Sequence, residues 1–452
     1  MSTSIDFSSQ LQTVQRTNPI RLDGKVCRVI GLVVESIGPQ VSLGEICKIH
    51  SRSSGKPVLA EAVGFKDNLV LMMPFGDIEG INPGSVVEAT GSVLKIGVGQ
   101  GLLGRVVNGL AEPIDDLGPI AASHFQPIVA HAPHPLKRQR IKEQMLTGVR
   151  AIDVFVSCGR GQRLGIFAGS GVGKSVLLGM IARRSAARVN VIALIGERGR
   201  EVREFIERDL GPEGLSRSVV VAVTSDEPSL MKIKGAMTAT AISEYFRNQG
   251  HDVILMLDSI TRIAYAQREI GLAIGEPPAT KGYTPSVYAM LPKLLERAGS
   301  AEKGSITGLY TILVEGDDFN EPISDQVRSI LDGHVTLSRA LAYRKHYPAI
   351  DILQSISRVM VDVVSEGHRD LAGDARKVLA IYSENEDLIN IGAYVKGSSP
   401  EIDNSIKRVP QLNQFLQQDL NADTPDFAAD IERLKGIIGE NIPIPTPETV
   451  AG

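Results

Sequence analysis

The run Ala168-Gly169-Ser170-Gly171-Val172-Gly173-Lys174-Ser175 holds the residues best suited to chemistry in this chain. Its glycines carry no Cβ, so successive backbone N–H groups can curl around an anion. The apolar run Leu164-Gly165-Ile166-Phe167 before it reads as a buried strand, and Val176-Leu177-Leu178-Gly179-Met180-Ile181-Ala182 after it reads as a helix. The first helical turn adds unpaired N–H groups and the positive end of its dipole. Strand, glycine loop and helix together predict a phosphate-binding P-loop. Gly169, Ser170, Gly171, Val172, Gly173 and Val176 enclose the phosphates in this reading, Lys174 reaches the β- and γ-oxygens, and the Ser175 hydroxyl binds Mg²⁺. One position departs from the usual spacing: Ala168 stands where a glycine is customary, and is small enough to keep the turn.

Cleaving a phosphoanhydride also needs carboxylates and a second positive charge. In open parallel sheets, ligand groups collect beyond the carboxyl ends of strands. Asp258 closes the apolar run Val253-Ile254-Leu255-Met256-Leu257, where an aspartate can support Mg²⁺ together with Ser175. Glu197 follows Ile195-Gly196 and opens Glu197-Arg198-Gly199-Arg200-Glu201, where a carboxylate can polarise an attacking water. An arginine facing the γ-phosphate from the other side would stabilise the transition state. Arg198, Arg262, Arg339 and Arg358 all fall near expected strand ends, and spacing alone selects none of them.

These residues need a scaffold, and 452 residues suffice for more than one domain. The formal charge of −4 supplies no global basic field to recruit nucleic acid. No apolar run reaches membrane-spanning length, and MSTSIDFSSQLQTVQ lacks the basic start and apolar core of a signal peptide, so a cytoplasmic chain is expected. Cys27, Cys47 and Cys158 are isolated and read as reduced thiols, and His124, His131 and His134 as loop histidines rather than metal ligands. Residues 1–21 read as either a frayed tail or a short amphipathic segment that a partner orders. Residues 22–92 alternate in short β-like runs between Gly/Pro turns, the pattern of a small closed barrel. Residues 93–371 hold a Gly/Pro-punctuated connector, a basic cluster at Lys137-Arg138-Gln139-Arg140-Ile141-Lys142 read as a solvated loop, and then apolar runs alternating with helical stretches. That alternation predicts an α/β domain with a parallel sheet covered on both faces. In residues 372–452, Ile402, Ile406, Val409, Leu412 and Leu416 recur at helical spacing, and the Pro-rich end is expected to be disordered.

Longer stretches carry a resemblance. The P-loop, Gly196-Glu197-Arg198-Gly199-Arg200-Glu201, Leu257-Asp258-Ser259-Ile260-Thr261-Arg262 and Tyr347-Pro348-Ala349-Ile350-Asp351 resemble the catalytic subunit of rotary ATP synthases. The closer likeness is to the ATPases of type III export systems, flagellar or virulence-associated. Gly275-Glu276-Pro277-Pro278-Ala279-Thr280-Lys281-Gly282-Tyr283-Thr284-Pro285-Ser286-Val287-Tyr288, Leu295-Glu296-Arg297-Ala298-Gly299, Val314-Glu315-Gly316-Asp317-Asp318 and Leu331-Asp332-Gly333-His334 share it. The resemblance implies a central P-loop (RecA-like) domain between an N-terminal β-barrel and a C-terminal helical domain, hydrolysing ATP with Mg²⁺. It implies Lys174 and Ser175 at the phosphates and metal, Asp258 supporting the metal, Glu197 activating water, and Arg358 as the finger that a neighbouring copy inserts. Tyr347 would stack on adenine, Arg198 and Arg262 would lie near the nucleotide, and the loop Gly275 to Tyr288 would face a central pore.

Because one chain carries both Glu197 and Arg358, identical copies can complete one another's sites, and a closed homohexamer is the economical arrangement. The family further implies a stator-like regulatory subunit at the N-terminal segment, a central stalk, an export gate, chaperone–cargo complexes at the C-terminal domain, and a position peripheral to the inner membrane. Within it, the Glu276–Tyr283 loop is more similar to flagellar members. A non-catalytic nucleotide-binding scaffold is disfavoured by Glu197, a ring-shaped RNA translocase by a barrel poor in basic and aromatic residues, and a rotary synthase subunit by the presence of its own finger.

Overall fold

Short runs with apolar residues at alternate positions form strands whose inner faces need a shared core. The computed structural model describes Phe7 and residues 23–50, 56–314, 316, 318, 319, 321–420 and 426–439. Apart from Phe7, the N-terminal segment lies outside the described residues, as do the C-terminal Pro-rich end, Glu315 and Asp317. Six strands close the expected barrel: β1 (Asp23–Ile30), β2 (Val33–Ile37), β3 (Glu45–His50), β4 (Pro57–Lys66), β5 (Leu69–Pro74) and β6 (Val86–Val93), in the order β1-β2-β5-β4-β3-β6. All neighbours are antiparallel, and Val26, Val34, Cys47, Ile49, Met72 and Val87 fill the interior. Gly24 is dictated by closure, since a Cβ there would sit 2.1 Å from the carbonyl oxygen of Gly38.

The second unit begins after the barrel and holds the nucleotide-binding sheet together with the C-terminal helices. Its sheet contains β7 (Val106–Val107), β8 (Arg163–Ala168), β9 (Val189–Glu197), β10 (Ser218–Thr224), β11 (Asp252–Asp258), β12 (Ser305–Leu313), β13 (Gly333–Leu337) and β14 (Ile350–Ser357). The order is β14-β13-β8-β12-β11-β9-β10-β7, with Gly299–Ser300 pairing beside β12. Every pair along this path is parallel except β13–β14. Continuous burial of the Val- and Ile-rich runs follows, because helices cover both faces. The register aligns the carboxyl ends: Ala168 pairs with Leu313 and Leu337, Leu194 with Asp258, and Glu197 with Thr224.

Helix α1 (Arg150–Phe155) precedes β8, α2 (Lys174–Arg184) follows the P-loop, and α3 (Ser229–Asn248) packs against β9, β10 and β11. The C-terminal helices are α4 (Glu366–Asn390), α5 (Pro400–Leu416) and α6 (Phe427–Ile438). Val409, Leu412 and Leu416, read from their spacing as one apolar face, are buried, whereas Ile402 and Ile406 are half-buried. Phe415 meets Phe155 edge-on with ring centroids 6.4 Å apart, and Arg150 Nε donates to Asp430 at 2.7 Å, so α1 is bonded directly to the helical region. Residue 372 falls inside α4, so no break in the chain marks that boundary. The basic cluster also differs from expectation. Arg138 is not solvated: it donates to the carbonyls of Ala298, at 2.8 Å, and Glu296.

α2 must press closely on the segment Phe205–Leu210 to hold the P-loop. A Cβ on Gly179 would lie 2.6 Å from the Asp209 carbonyl oxygen and 2.8 Å from its Cβ. Gly179→Ala should therefore destabilise the domain by about 1–3 kcal/mol, the usual cost of overpacking. A urea midpoint equal to that of the wild type would contradict this packing.

Candidate nucleotide-hydrolysis site

The P-loop leaves the carboxyl end of β8 and turns through Gly171 at φ +78° and Gly173 at φ +93°, the left-handed region where glycine carries no steric cost. Gly173 caps α2, so Lys174, Ser175 and Val176 form its first turn, each half-buried, while Ser170 and Gly171 are exposed and Val172 is buried. The expected strand, glycine turn and helix start are therefore present.

Lys174 Nζ forms an ion pair with Asp258 and lies 3.3 Å from Glu197 Oε1. β11 and β9 deliver these two carboxylates from adjacent positions in the sheet, and the side chains of Lys174, Glu197 and Asp258 are 11%, 15% and 3% exposed. Thr311, on β12, donates its hydroxyl to Asp258 Oδ1 at 2.7 Å. Burial works against the Lys174 ammonium, but Asp258 and Glu197 outweigh it and hold its pKa above that of an ordinary lysine. Burial raises the Glu197 carboxyl; Asp258 and a hydrogen bond shared with Glu201 add to the rise, and Lys174 opposes it. Two carboxylates against one ammonium leave a net negative pocket of hard oxygen donors beside the Ser175 turn, a donor set that suits Mg²⁺.

Gly196, at φ +73°, lets Arg262 pass close beside Glu197: a Cβ there would lie 3.2 Å from Arg262 Cβ. Arg262 Nε is buried without a hydrogen-bond partner. Arg198 is 74% exposed and pairs with Glu201 at 2.8 Å. Tyr347 stands over the loop: a Cβ on Gly173 would be 3.6 Å from its ring, 45% of the residue is exposed, and its carbonyl accepts from Gln418 N–H at 2.9 Å. Arg339 begins a short helix just after β13, at this same edge of the sheet.

Arg358 is not brought to this group. β14 runs against β13, so its start, near Tyr347, lies at the P-loop edge and its end at the opposite edge. There Arg358 N–H donates to Asp332 O at 2.9 Å, and Asp332 N–H donates to Arg163 O at 2.9 Å, beside the first residue of β8. The six residues of β8 at about 3.3 Å each put roughly 20 Å between Arg358 and its own P-loop, more than an arginine side chain spans. Arg358 is exposed and its guanidinium makes no ion pair among the described residues.

Two partners escaped the sequence reading. Thr311 lies within the strand Ser305–Leu313, where no motif signals it. Glu201 is four residues beyond Glu197 in the same motif, so its spacing was readable. Tyr283, within the stretch expected to face a pore, is instead buried and donates to Glu321 Oε1 at 2.8 Å.

Three family models match: the ATP synthase alpha/beta family β-barrel domain over residues 26–91, its nucleotide-binding domain over 148–357, and the T3SS EscN ATPase C-terminal domain over 364–436. The flagellum-specific ATP synthase of Bacillus subtilis is 55% identical over 91% of this chain and 94% of its own. The chain belongs to the type III export ATPases. The type 3 secretion system ATPase of Xanthomonas euvesicatoria is 52% identical over 87% of this chain and 89% of its own, so relatives from both kinds of system lie at similar distance. The assembled ATPase EscN of enteropathogenic E. coli has the same fold, with a TM-score of 0.86 at 45% identity, covering 92% of this chain and 100% of EscN. EscN in complex with its central stalk EscO matches with a TM-score of 0.85. This export ATPase is accordingly a P-loop enzyme that takes a nucleotide.

Before nucleotide binds, Lys174 is the cation that makes burial of Asp258 and Glu197 tolerable. Removing it should destabilise the chain by about 1–3 kcal/mol, less than the 3–5 kcal/mol of a fully buried pair because the site is partly open. Without the ammonium, Glu197 is pushed further above its unfolded value, so the folded state binds the extra proton and the deficit shrinks as pH falls from about 8 to about 5. Thermal melts of Lys174→Ala across that range test this; a deficit that grows on acidification would contradict it.

Proposed function

We propose that this chain hydrolyses ATP at the seams of a closed ring of six copies, each seam joining the P-loop, Glu197 and Asp258 of one copy to Arg358 of the next. The observation that supports this reading is that Arg358 lies at the sheet edge opposite Lys174, Glu197 and Asp258. A chain that cannot bring its own Arg358 to its own Lys174 is completed by an identical neighbour.

In this reading Lys174 leaves its two carboxylates for the β- and γ-phosphate oxygens, and Tyr347 stacks on adenine, with Arg198 and Arg262 near the nucleotide. Ser175 and Asp258 hold Mg²⁺, which when bound neutralises phosphate charge. Glu197, relieved of Lys174, orients the attacking water and takes its proton. The partner's guanidinium stabilises the charge that develops on the departing phosphoryl group, typically by ~10³–10⁵ in rate.

Hydrolysis powers type III export, and the Glu276–Tyr283 loop favours the flagellar system over the virulence-associated one. The barrel then forms the collar of the ring, and a central stalk occupies its middle, as the EscN–EscO complex suggests by similarity. An N-terminal stator-like subunit, the export gate and chaperone–cargo complexes at the C-terminal helices complete the assembly, peripheral to the inner membrane. No helix among the described residues is long and apolar enough to cross a bilayer. Loss of swimming on deletion of the gene, with effector secretion intact, supports the flagellar assignment; the reverse pattern overturns it.

Arg358→Ala should bind ATP nearly as the wild type does and lose most of kcat, whereas Glu197→Gln should bind and not turn over. Mixing the two chains should restore activity, because some seams pair an intact Glu197 with an intact Arg358. A mixture no more active than its parts would refute the shared site. Since burial holds Glu197 above the ordinary glutamate range, the acid limb of kcat/KM should also lie above that range; a limb at the ordinary value would exclude Glu197 as the base.

A further inference from the structure

The backbone beneath Arg358 is fixed from three sides while its side chain is left free. Its own N–H is bound to the Asp332 carbonyl at 2.9 Å. The preceding Ser357 donates its hydroxyl to the Ser157 carbonyl at 2.8 Å and accepts from Gln162 Nε2 at 3.0 Å. Gln162 is fully buried, and the same Nε2 reaches the Asp332 carbonyl at 3.2 Å. One residue earlier, the Ile356 carbonyl presses against Gly333, where a Cβ would lie only 2.4 Å away.

Asp332 is itself immobilised. Its Oδ2 accepts from Arg163 N–H at 3.0 Å and from Arg163 Nε at 3.1 Å, and its Oδ1 accepts from Arg163 Nη2 at 3.1 Å. This is the two-pronged guanidinium–carboxylate geometry that fixes orientation as well as position. The third nitrogen of the fork, Nη1, pairs with Glu296, just beyond the helix Pro285–Leu295. Glu296 also accepts from Arg138.

We infer that Asp332 and Arg163 are positioning residues for Arg358: the pair sets the height and direction from which the guanidinium leaves one protomer for its neighbour's nucleotide. The inference rests on the reading of Arg358 given above. Neither residue touches the nucleotide in its own chain, since both lie at the sheet edge opposite the P-loop. Their effect is to order the base of an exposed side chain in advance, so that less freedom is lost when the transition state forms. Because Arg163 is shared between Asp332 and Glu296, the same fork links the finger's base to the end of the helix Pro285–Leu295.

The test uses full-length rings of Asp332→Asn and, as a second variant that keeps a positive charge without the fork, Arg163→Lys. Each should lower kcat by roughly tenfold, less than loss of the finger itself, and leave KM within about twofold. The decisive readout is the pattern of rescue. Asp332→Asn mixed with Glu197→Gln should regain activity, because the second chain offers a well-placed finger to the first chain's intact nucleotide site. Asp332→Asn mixed with Arg358→Ala should gain nothing, because every seam then lacks a placed finger. A merely structural defect in the nucleotide domain would damage the variant's own site and would not be rescued by the Glu197→Gln chain. If Arg358→Ala is rescued by Glu197→Gln and Asp332→Asn is not, positioning is overturned while the shared site stands. If neither is rescued, the shared site itself fails. Wild-type kcat in both variants would also overturn the inference.

Discussion

One ammonium shared between the buried Asp258 carboxylate and the half-buried Glu197 carboxylate is the constraint around which this chain is built. Lys174 cannot leave Asp258 and Glu197 unless something equally charged replaces it, and they cannot stay buried without a cation. In the proposed reading, bound ATP would draw Lys174 to its phosphates, and Mg²⁺ held by Ser175 and Asp258 would supply the replacing positive charge. The free site is thereby held in a closed electrostatic arrangement that a lone phosphate or a lone cation would only half satisfy. The sheet serves this arrangement directly, since parallel register brings Ala168, Leu194–Glu197 and Asp258 to one edge.

The antiparallel strand β14 supplies the complementary constraint. A fully parallel sheet would gather every functional strand end at one edge and allow a self-contained site. Reversing the last strand puts Tyr347 beside the P-loop and carries Arg358 to the far side. If Arg358 serves a neighbour's nucleotide as proposed, association would have a chemical consequence, because a ring seam would also be the place where catalysis is finished.

Much of this was legible in the chain itself. Gly171, Gly173, Lys174 and Ser175 are adjacent in sequence, so their joint geometry follows from local rules about glycine and helix starts. Asp258 and Glu197 were found because apolar runs ending in an acidic residue read as strand ends. Barrel closure was legible from alternation. What could not be read depends on pairing between distant segments. The spacing of Arg358 does not reveal that its strand runs antiparallel, so only resemblance singled it out among four arginines. Arg138 looked like part of a solvated basic run because its partners, the carbonyls of Glu296 and Ala298, lie some 160 residues away in sequence. Thr311 and Tyr283 were hidden for the same reason: their burial and partners are products of packing. The lesson is that contiguous chemistry is written locally, whereas the direction of a strand, and with it the ownership of an active site, is a property of the whole sheet.

Where Arg358 goes in the assembled particle decides whether the active site is shared. A structure of the full-length ring with a non-hydrolysable ATP analogue measures this directly. The Arg358 guanidinium should lie within hydrogen-bonding distance of the γ-phosphate held by the Lys174 of the adjoining copy. An Arg358 left in solvent, or turned into its own protomer, with nucleotide bound in every seam would contradict it.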